Sequence, residues 1–267
     1  FDATNIADAK VSVITNVGYD HTDGGEGWRR NLAWEKAGII KPGSILCLGE
    51  TDEDLEDLFL EQNPEKVYRR NIDFDCIENH LAVGGRHLSI RTMKESYESM
   101  FLSLHGAHQG RNAAIALAAV EAFLGVPLAR EVADLGFSEI KLPGRFEVIS
   151  SAPLFILDGA HNPPGALAAA ETLDNDFSNT GKRILIVGMT EEKDAQWMLD
   201  NLEADKASLV ICTQAESPRS MLASELAEAA SMISGNVAIA PDPKHALNQA
   251  FEEASHEDGI LGTGSMY

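Results

Sequence analysis

Residues 142–164 read LPGRFEVISSAPLFILDGAHNPP and divide two kinds of sequence. Pro143 and Gly144 stop a helix and turn the chain. Directly after them comes the apolar run Leu154-Phe155-Ile156-Leu157, bounded by turn signals, which predicts a buried strand. Asp158, Gly159, His161 and Asn162 collect at its C-terminal end before Gly165 opens an Ala-rich helix. The carboxyl ends of strands are where open α/β sheets place their ligands. Arg145 is close by in sequence, and its guanidinium presents a planar fork of donors to phosphate oxygens, so with Asp158 it could grip a polyphosphate and a ribose or amine. A domain-joining turn with a surface salt bridge fits the same residues equally well, and spacing alone does not choose between them.

C-terminal to this stretch, strand and helix alternate. Strands are expected at 154–157, 183–187, 208–212, 237–240 and 259–261, with helices from Gly165, from Ala195, at 221–231 and at 243–253. Such alternation predicts a mostly parallel, doubly wound sheet. Gly262-Thr263-Gly264-Ser265 is expected to follow the last strand and to offer backbone amides to an anion.

On the N-terminal side, 11–16 (VSVITN) is β-branched and apolar, as in a parallel strand covered on both faces, and leads into Asp20-His21-Thr22. A His just past a strand end serves as a metal ligand or as a loop residue bonded to backbone. Residues 28–37 read as a helix closed by Gly38, with Glu35 and Lys36 on its last turn, where a cation is favoured by the helix dipole. A strand at 44–48 and an amphipathic helix at 52–62 follow. Ile77, Leu81, Val83, Leu88 and Ile90, with the Gly84-Gly85 turn, predict a small antiparallel meander. The polar cluster 105–112, ending in Asn112, is expected to precede a helix over 113–124, marking an N-terminus that suits an anion or is simply capped.

The composition is that of an ordinary globular protein, 44% hydrophobic and 24% charged over 267 residues. No apolar run spans a bilayer and the N-terminus lacks a signal-peptide pattern, so a cytoplasmic protein without a membrane partner is expected. A net charge of −21 argues against nucleic acid as a partner. Cys47, Cys76 and Cys212 form no CxxC pair and are expected to be reduced. GxGxxG at a strand-to-helix turn and GxxxxGK[ST] are both absent.

Seven stretches together resemble the folylpolyglutamate synthase family, with its bifunctional dihydrofolate synthase members, in the Mur ligase superfamily: FDATN, ITNVGYDHT, EKAGIIKPG, GAHQGRNAAIALAA, LPGRFE, LDGAHNPPGA and GTGSMY, in family order along essentially the whole chain. GMTEEKD at 188–194 is similar to a further family loop. The resemblance implies an α/β protein in which residues 1–143 are the C-terminal portion of a P-loop ATPase domain of the Mur-ligase central type, carrying the meander, and residues 144–267 a Rossmann-like ligase domain. It implies Mg²⁺ on His21, a carbamate on Lys36, ATP contacts from Asn112, Arg145 and Asp158, and His161 close to substrate. The implied activity is ATP-dependent addition of L-glutamate to a folate or dihydropteroate through an acyl phosphate, by a monomer. A peptidoglycan-precursor ligase of the same superfamily and a non-catalytic nucleotide-binding protein are the alternatives, and the DGAHNP and EKAGI stretches favour the folate branch. A buried strand so near the first residue needs neighbours, and the family's P-loop and a metal-ligand Glu would precede Phe1. The chain is therefore expected to be an incomplete portion that binds nucleotide poorly and catalyses nothing.

Overall fold

Apolar strands alternating with helices favour parallel pairing, because a crossover helix returns the chain to the same edge of the sheet. The computed structural model, which describes residues 3–19, 25–178 and 181–264, has this pairing in each of two compact units, Phe1–Lys141 and Leu142–Tyr267.

In the first unit a 3₁₀ turn at Ala3–Ile6 precedes β1 (Val11–Ile14), α1 (Trp28–Ala37), β2 (Ile45–Leu48), α2 (Glu53–Leu60) and β3 (Lys66–Arg69). The strands form a parallel sheet in the order β1-β2-β3. Side chains alternate along a strand, so this sheet has two apolar faces. Ile14, Leu46 and Leu48 pack with Ala33, Ala37, Leu55 and Phe59 of α1 and α2. Cys47, of opposite parity, joins Ala114, Leu117 and Ala118 of α3 (His108–Leu124). Three further strands, β4 (Asp75–Ala82), β5 (Gly85–Arg91) and β6 (Ser96–Leu102), form the antiparallel meander. Its inner face, with Leu88, Ile90, Met100 and Leu102, packs in the same core as α3, and α4 (Arg130–Ser138) lies against β6.

Three features of this unit differ from expectation. Segments β3 and α4 are too short and too mixed in polarity to announce themselves. Helix α3 starts at His108, so the polar residues through Asn112 lie inside its first turns rather than ahead of it. The chain turns earlier, at Gly106, whose φ of 95° admits glycine readily. Gly110 then lets the helix approach β4, since a Cβ there would lie 2.5 Å from Asn79 Nδ2.

The second unit runs β7 (Glu147–Ser151), β8 (Leu154–Asp158), α5 (Pro163–Asp176), β9 (Arg183–Gly188), α6 (Ala195–Asn201), β10 (Leu209–Cys212), α7 (Ala223–Ser231), β11 (Val237–Ile239), α8 (Pro243–Glu253) and β12 (Gly259–Gly264). One sheet in the order β11-β10-β9-β12-β8-β7 holds all its strands, parallel except for β7. Helices α5, α6 and α7 cover the face with Ile156, Leu185, Val187 and Val210. Ala246 and Ala250 of α8 cover the other, with Phe155, Ile184, Ile186 and Ile211. Asn162 caps α5 by accepting the Gly165 N–H at 2.9 Å, with Pro163 at the first helical position. Strand β7 is a further surprise, because its burial is slight and its apolar pattern weak. Gly262, Thr263 and Gly264 lie within β12 rather than after it.

The three cysteines are free, and burial pushes the thiols of Cys47 and Cys212 up to about 12, which keeps them protonated and unreactive. Among the described residues no helix is long and apolar enough to cross a membrane.

One buried polar cluster ties the meander to the helices. The Tyr97 hydroxyl lies 2.5 Å from Glu121 Oε1 and 2.7 Å from the Leu128 carbonyl, and the Leu128 N–H donates to the same carboxylate oxygen at 3.2 Å. Glu121 is wholly buried, so its carboxylate depends on these donors. Tyr97→Phe removes one of them without removing the ring, and urea denaturation should show a loss of about 1–3 kcal/mol.

Candidate functional site

Strand β8 ends on Asp158, and both oxygens of that carboxylate are occupied by backbone. Oδ2 accepts the Phe146 N–H at 2.9 Å and Oδ1 accepts the Ala160 N–H at 2.9 Å. The Gly159 N–H donates to the Gly144 carbonyl at 2.7 Å, and the Gly144 N–H donates to Glu147 Oε2 at 2.9 Å. These bonds fasten the 142–147 turn to the end of β8. Within the turn Gly144 has φ 66° and Phe146 has φ 48°. The left-handed conformation is unfavourable for a residue with a Cβ, and Phe146 keeps it while buried, with its ring 5.7 Å from that of Phe177. Arg145 lies between these two fixed, buried neighbours and is itself exposed.

Electrostatics follow from the burial. Desolvation holds the Asp158 carboxyl above its ordinary range, opposed by the two N–H groups and by the positive charges of Arg145 and His161. His161 is half-buried, with Nδ1 2.8 Å from the Gly159 carbonyl. In the neutral ring that contact places the proton on Nδ1.

Beside this turn, a cavity of about 260 Å³ opens at the carboxyl ends of β8, β9, β10 and β12. Asp158, Gly188, Thr213, Pro243, Gly262 and Thr263 are among its walls. The buried Thr213 hydroxyl makes no hydrogen bond among the described residues. Gly264 has φ 135°, and a Cβ there would lie 1.8 Å from the Gly188 carbonyl oxygen, so β12 and β9 can meet at this edge only through glycine.

The structure thus gathers Arg145, Asp158 and His161 into one site of the second unit. Lys36 and Asn112 belong to the first unit. Half-buried Lys36 is on the last turn of α1, where Asn5 Nδ2 donates to the Glu35 carbonyl at 3.0 Å and Lys41 Nζ donates to the Gly38 carbonyl at 2.8 Å. Asn112 is exposed on α3, donating through Nδ2 to Gln109 Oε1 at 3.0 Å. His21 lies outside the described residues. Among those residues no three His, Cys, Asp or Glu side chains are grouped to hold a metal ion. Sequence reasoning missed Thr213 and gave no individual role to Phe146 and Glu147 of LPGRFE or to Gly188 of GMTEEKD. Position after a strand was the available signal for Gly188 and Thr213, whereas nothing local marks Phe146 as left-handed.

Asp158→Ala leaves two N–H groups without their acceptor, and unfolding measurements should show a loss on the order of 1–3 kcal/mol for each N–H that becomes buried and unpaired. A carboxyl raised in the folded state contributes stability that is complete below its unfolded value of about 3.9 and is lost as pH rises through its folded value. The advantage of the wild type over Asp158→Ala should therefore be larger at pH 4 than at pH 7.

Residues 144–266 match the family described as Mur ligase, glutamate ligase domain. The dihydrofolate synthase/folylpolyglutamate synthase of Mycobacterium tuberculosis is 35% identical over 86% of this chain and 50% of its own length. A solved structure of the Mycobacterium tuberculosis folylpolyglutamate synthase complexed with ADP superposes with a TM-score of 0.92 at 32% identity, covering 99% of this chain and 62% of that one. The bifunctional folylpolyglutamate synthase/dihydrofolate synthase of Yersinia pestis, complexed with AMPPNP and a Mn ion, gives 0.83 at 30% identity, covering 99% of this chain and 60% of that one. This chain spans between half and two thirds of the length of these relatives. With an α/β fold common to all of it and the motifs of both units in order, the chain belongs to the folylpolyglutamate synthase/dihydrofolate synthase family of Mur ligases.

Proposed function

We propose that the protein acts as an ATP-dependent ligase that joins L-glutamate to a folate, with dihydropteroate as a second acceptor. The observation that carries this reading is the Arg145 turn, bolted through Asp158 to a strand end of a glutamate ligase domain. Relatives bound to ADP or to AMPPNP with Mn support it. Residues 1–143 belong to the ATPase domain in this reading and 144–267 to the ligase domain. The enzyme works as a cytoplasmic monomer.

The reaction forms an amide in two steps. A folate carboxylate attacks the γ-phosphoryl group of ATP, breaking its bond to the β-phosphate and releasing ADP, and the neutral amine of glutamate then displaces phosphate from the resulting acyl phosphate and loses a proton as the amide forms. Little covalent work falls to the protein, so positioning and charge stabilisation dominate. Arg145 places its guanidinium on phosphate oxygens, where the rigid turn removes most of the cost of ordering it. Asp158 holds that turn and lies beside the ribose. Asn112 contacts the nucleotide from α3, and His161 contacts substrate. Mg²⁺, when bound, supplies positive charge at the transferred phosphoryl group. His21 and a carbamate on Lys36 would hold it, the carbamate turning a cation into an oxygen donor suited to Mg²⁺. An unmodified lysine is no ligand, so the half-buried Lys36 fits the ion only in that modified form.

The test is release of ADP that requires both folate and glutamate, measured on the full-length protein. Arg145→Ala should lower kcat/KM for ATP by the equivalent of about 1.5–3 kcal/mol, the worth of a hydrogen bond to a charged group. Unchanged kinetics in that variant would remove Arg145 from the site. Lys36→Ala should lose most activity and regain part of it with added short carboxylic acids.

A further inference from the structure

The β4–β5 hairpin carries two imidazoles that the ligase reading leaves unused. Gly84, at φ 77°, makes the turn, and the pairing beyond it sets Ala82 opposite Gly85, Leu81 opposite Arg86 and His80 opposite His87. Arg86, Leu88 and Ile90 take the buried face of β5, whereas His80 and His87 are both exposed on the opposite face. Directly opposed residues of an antiparallel pair have Cβ atoms about 4.5–5.5 Å apart. From that separation each ring can turn one nitrogen onto a common ion at about 2.0–2.1 Å. His87 is braced from its other side by Phe101, its partner on β6, with ring centroids 5.6 Å apart at 63°. Glu78, two residues before His80, accepts the Ser89 hydroxyl at 2.6 Å and adds negative charge beside the pair. The net charge of −21 further favours a cation.

We propose that His80 and His87 form a surface site for one transition-metal ion of the kind that prefers imidazole, Cu²⁺, Ni²⁺ or Zn²⁺, with water completing its coordination. Mg²⁺, which prefers oxygen ligands, does not occupy it. An ion held by both strands binds the folded hairpin and not the unfolded chain, so it stabilises this part of the first unit.

Calorimetric titration of the protein with each ion tests this, using His80→Ala, His87→Ala, the double variant and a His245→Ala control. Both rings are exposed, so circular dichroism of the metal-free variants should match that of the parent. The expected result is a site tightest for Cu²⁺ and absent for Mg²⁺. Either single substitution should weaken it at least about tenfold, whereas His245→Ala leaves it intact. The electron paramagnetic resonance spectrum of the Cu²⁺ complex should report two imidazole nitrogens, and the rise in Tm with Ni²⁺ should vanish in the double variant. A double variant that binds Cu²⁺ and Ni²⁺ as tightly as the parent overturns the proposal, as does a Cu²⁺ spectrum unchanged by the substitutions.

Discussion

Two backbone N–H groups converging on one carboxylate set the geometry of the second unit. Asp158 holds Phe146 through one oxygen and Ala160 through the other, so a single side chain joins the turn before β7 to the loop before α5. A residue with a Cβ in the left-handed region costs on the order of 1–3 kcal/mol and persists where its surroundings over-determine it. Phe146 meets that condition three times, through its N–H bond to Asp158, its burial and its ring contact with Phe177. The consequence falls on the residue before it. Arg145 has little backbone freedom left, and its long side chain starts from a fixed point at the carboxyl edge of the sheet.

Charge distribution bears on what that side chain can attract. Several arginines of this acidic chain are tied to carboxylates: Arg29 to Glu50 and Asp52, Arg30 to Asp57, Arg69 to Glu56, Arg130 to Asp134, Arg183 to Asp174 and Arg219 to Glu192. Such pairs hold a cation in place and lower its attraction for an anion arriving from solution. Arg145 is exposed and forms no ion pair of this kind among the described residues. Against a net charge of −21, an anionic ligand has to be drawn by local donors of this sort, because the long-range field repels it.

Much of the fold was legible because burial leaves a period in sequence. The apolar runs of β1, β2, β8, β9 and β10, and the glycine or proline at their ends, mark strands and helices to within a residue or two. What stayed hidden has short-range polarity without period. Strand β3 has one buried residue in only four positions, β7 is largely exposed, and α4 has a single buried residue. The site divides in the same way. Arg145, Asp158 and His161 could be placed together because they flank one hairpin in sequence. The bonds from Asp158 to Phe146 and from Glu147 to Gly144 could not, since they depend on a positive φ at a phenylalanine, which no local pattern predicts. For Lys36, family resemblance alone supplies a role, whereas Asn112 drew attention as part of a polar cluster expected at a helix N-terminus, and the helix instead starts ahead of it at His108.

Strand parity is what turns this fold into a site with two different walls. Along β8, Ile156 faces the core shared with α5, α6 and α7, and Phe155 faces the core beneath α8. Asp158 shares the parity of Ile156, which carries its carboxylate to the side where Phe146 is buried in that same core. Leu157 shares the parity of Phe155 and turns toward the cavity, where Ile186, Pro243 and Gly262 also lie. A shift of one residue in the pairing of β8 with β12 would exchange these faces, burying an unpaired carboxylate under α8 and leaving the Arg145 turn without its anchor. The register that buries the sheet is therefore the same register that builds the site, and the apolar residues of β8 fix the position of its one charged group.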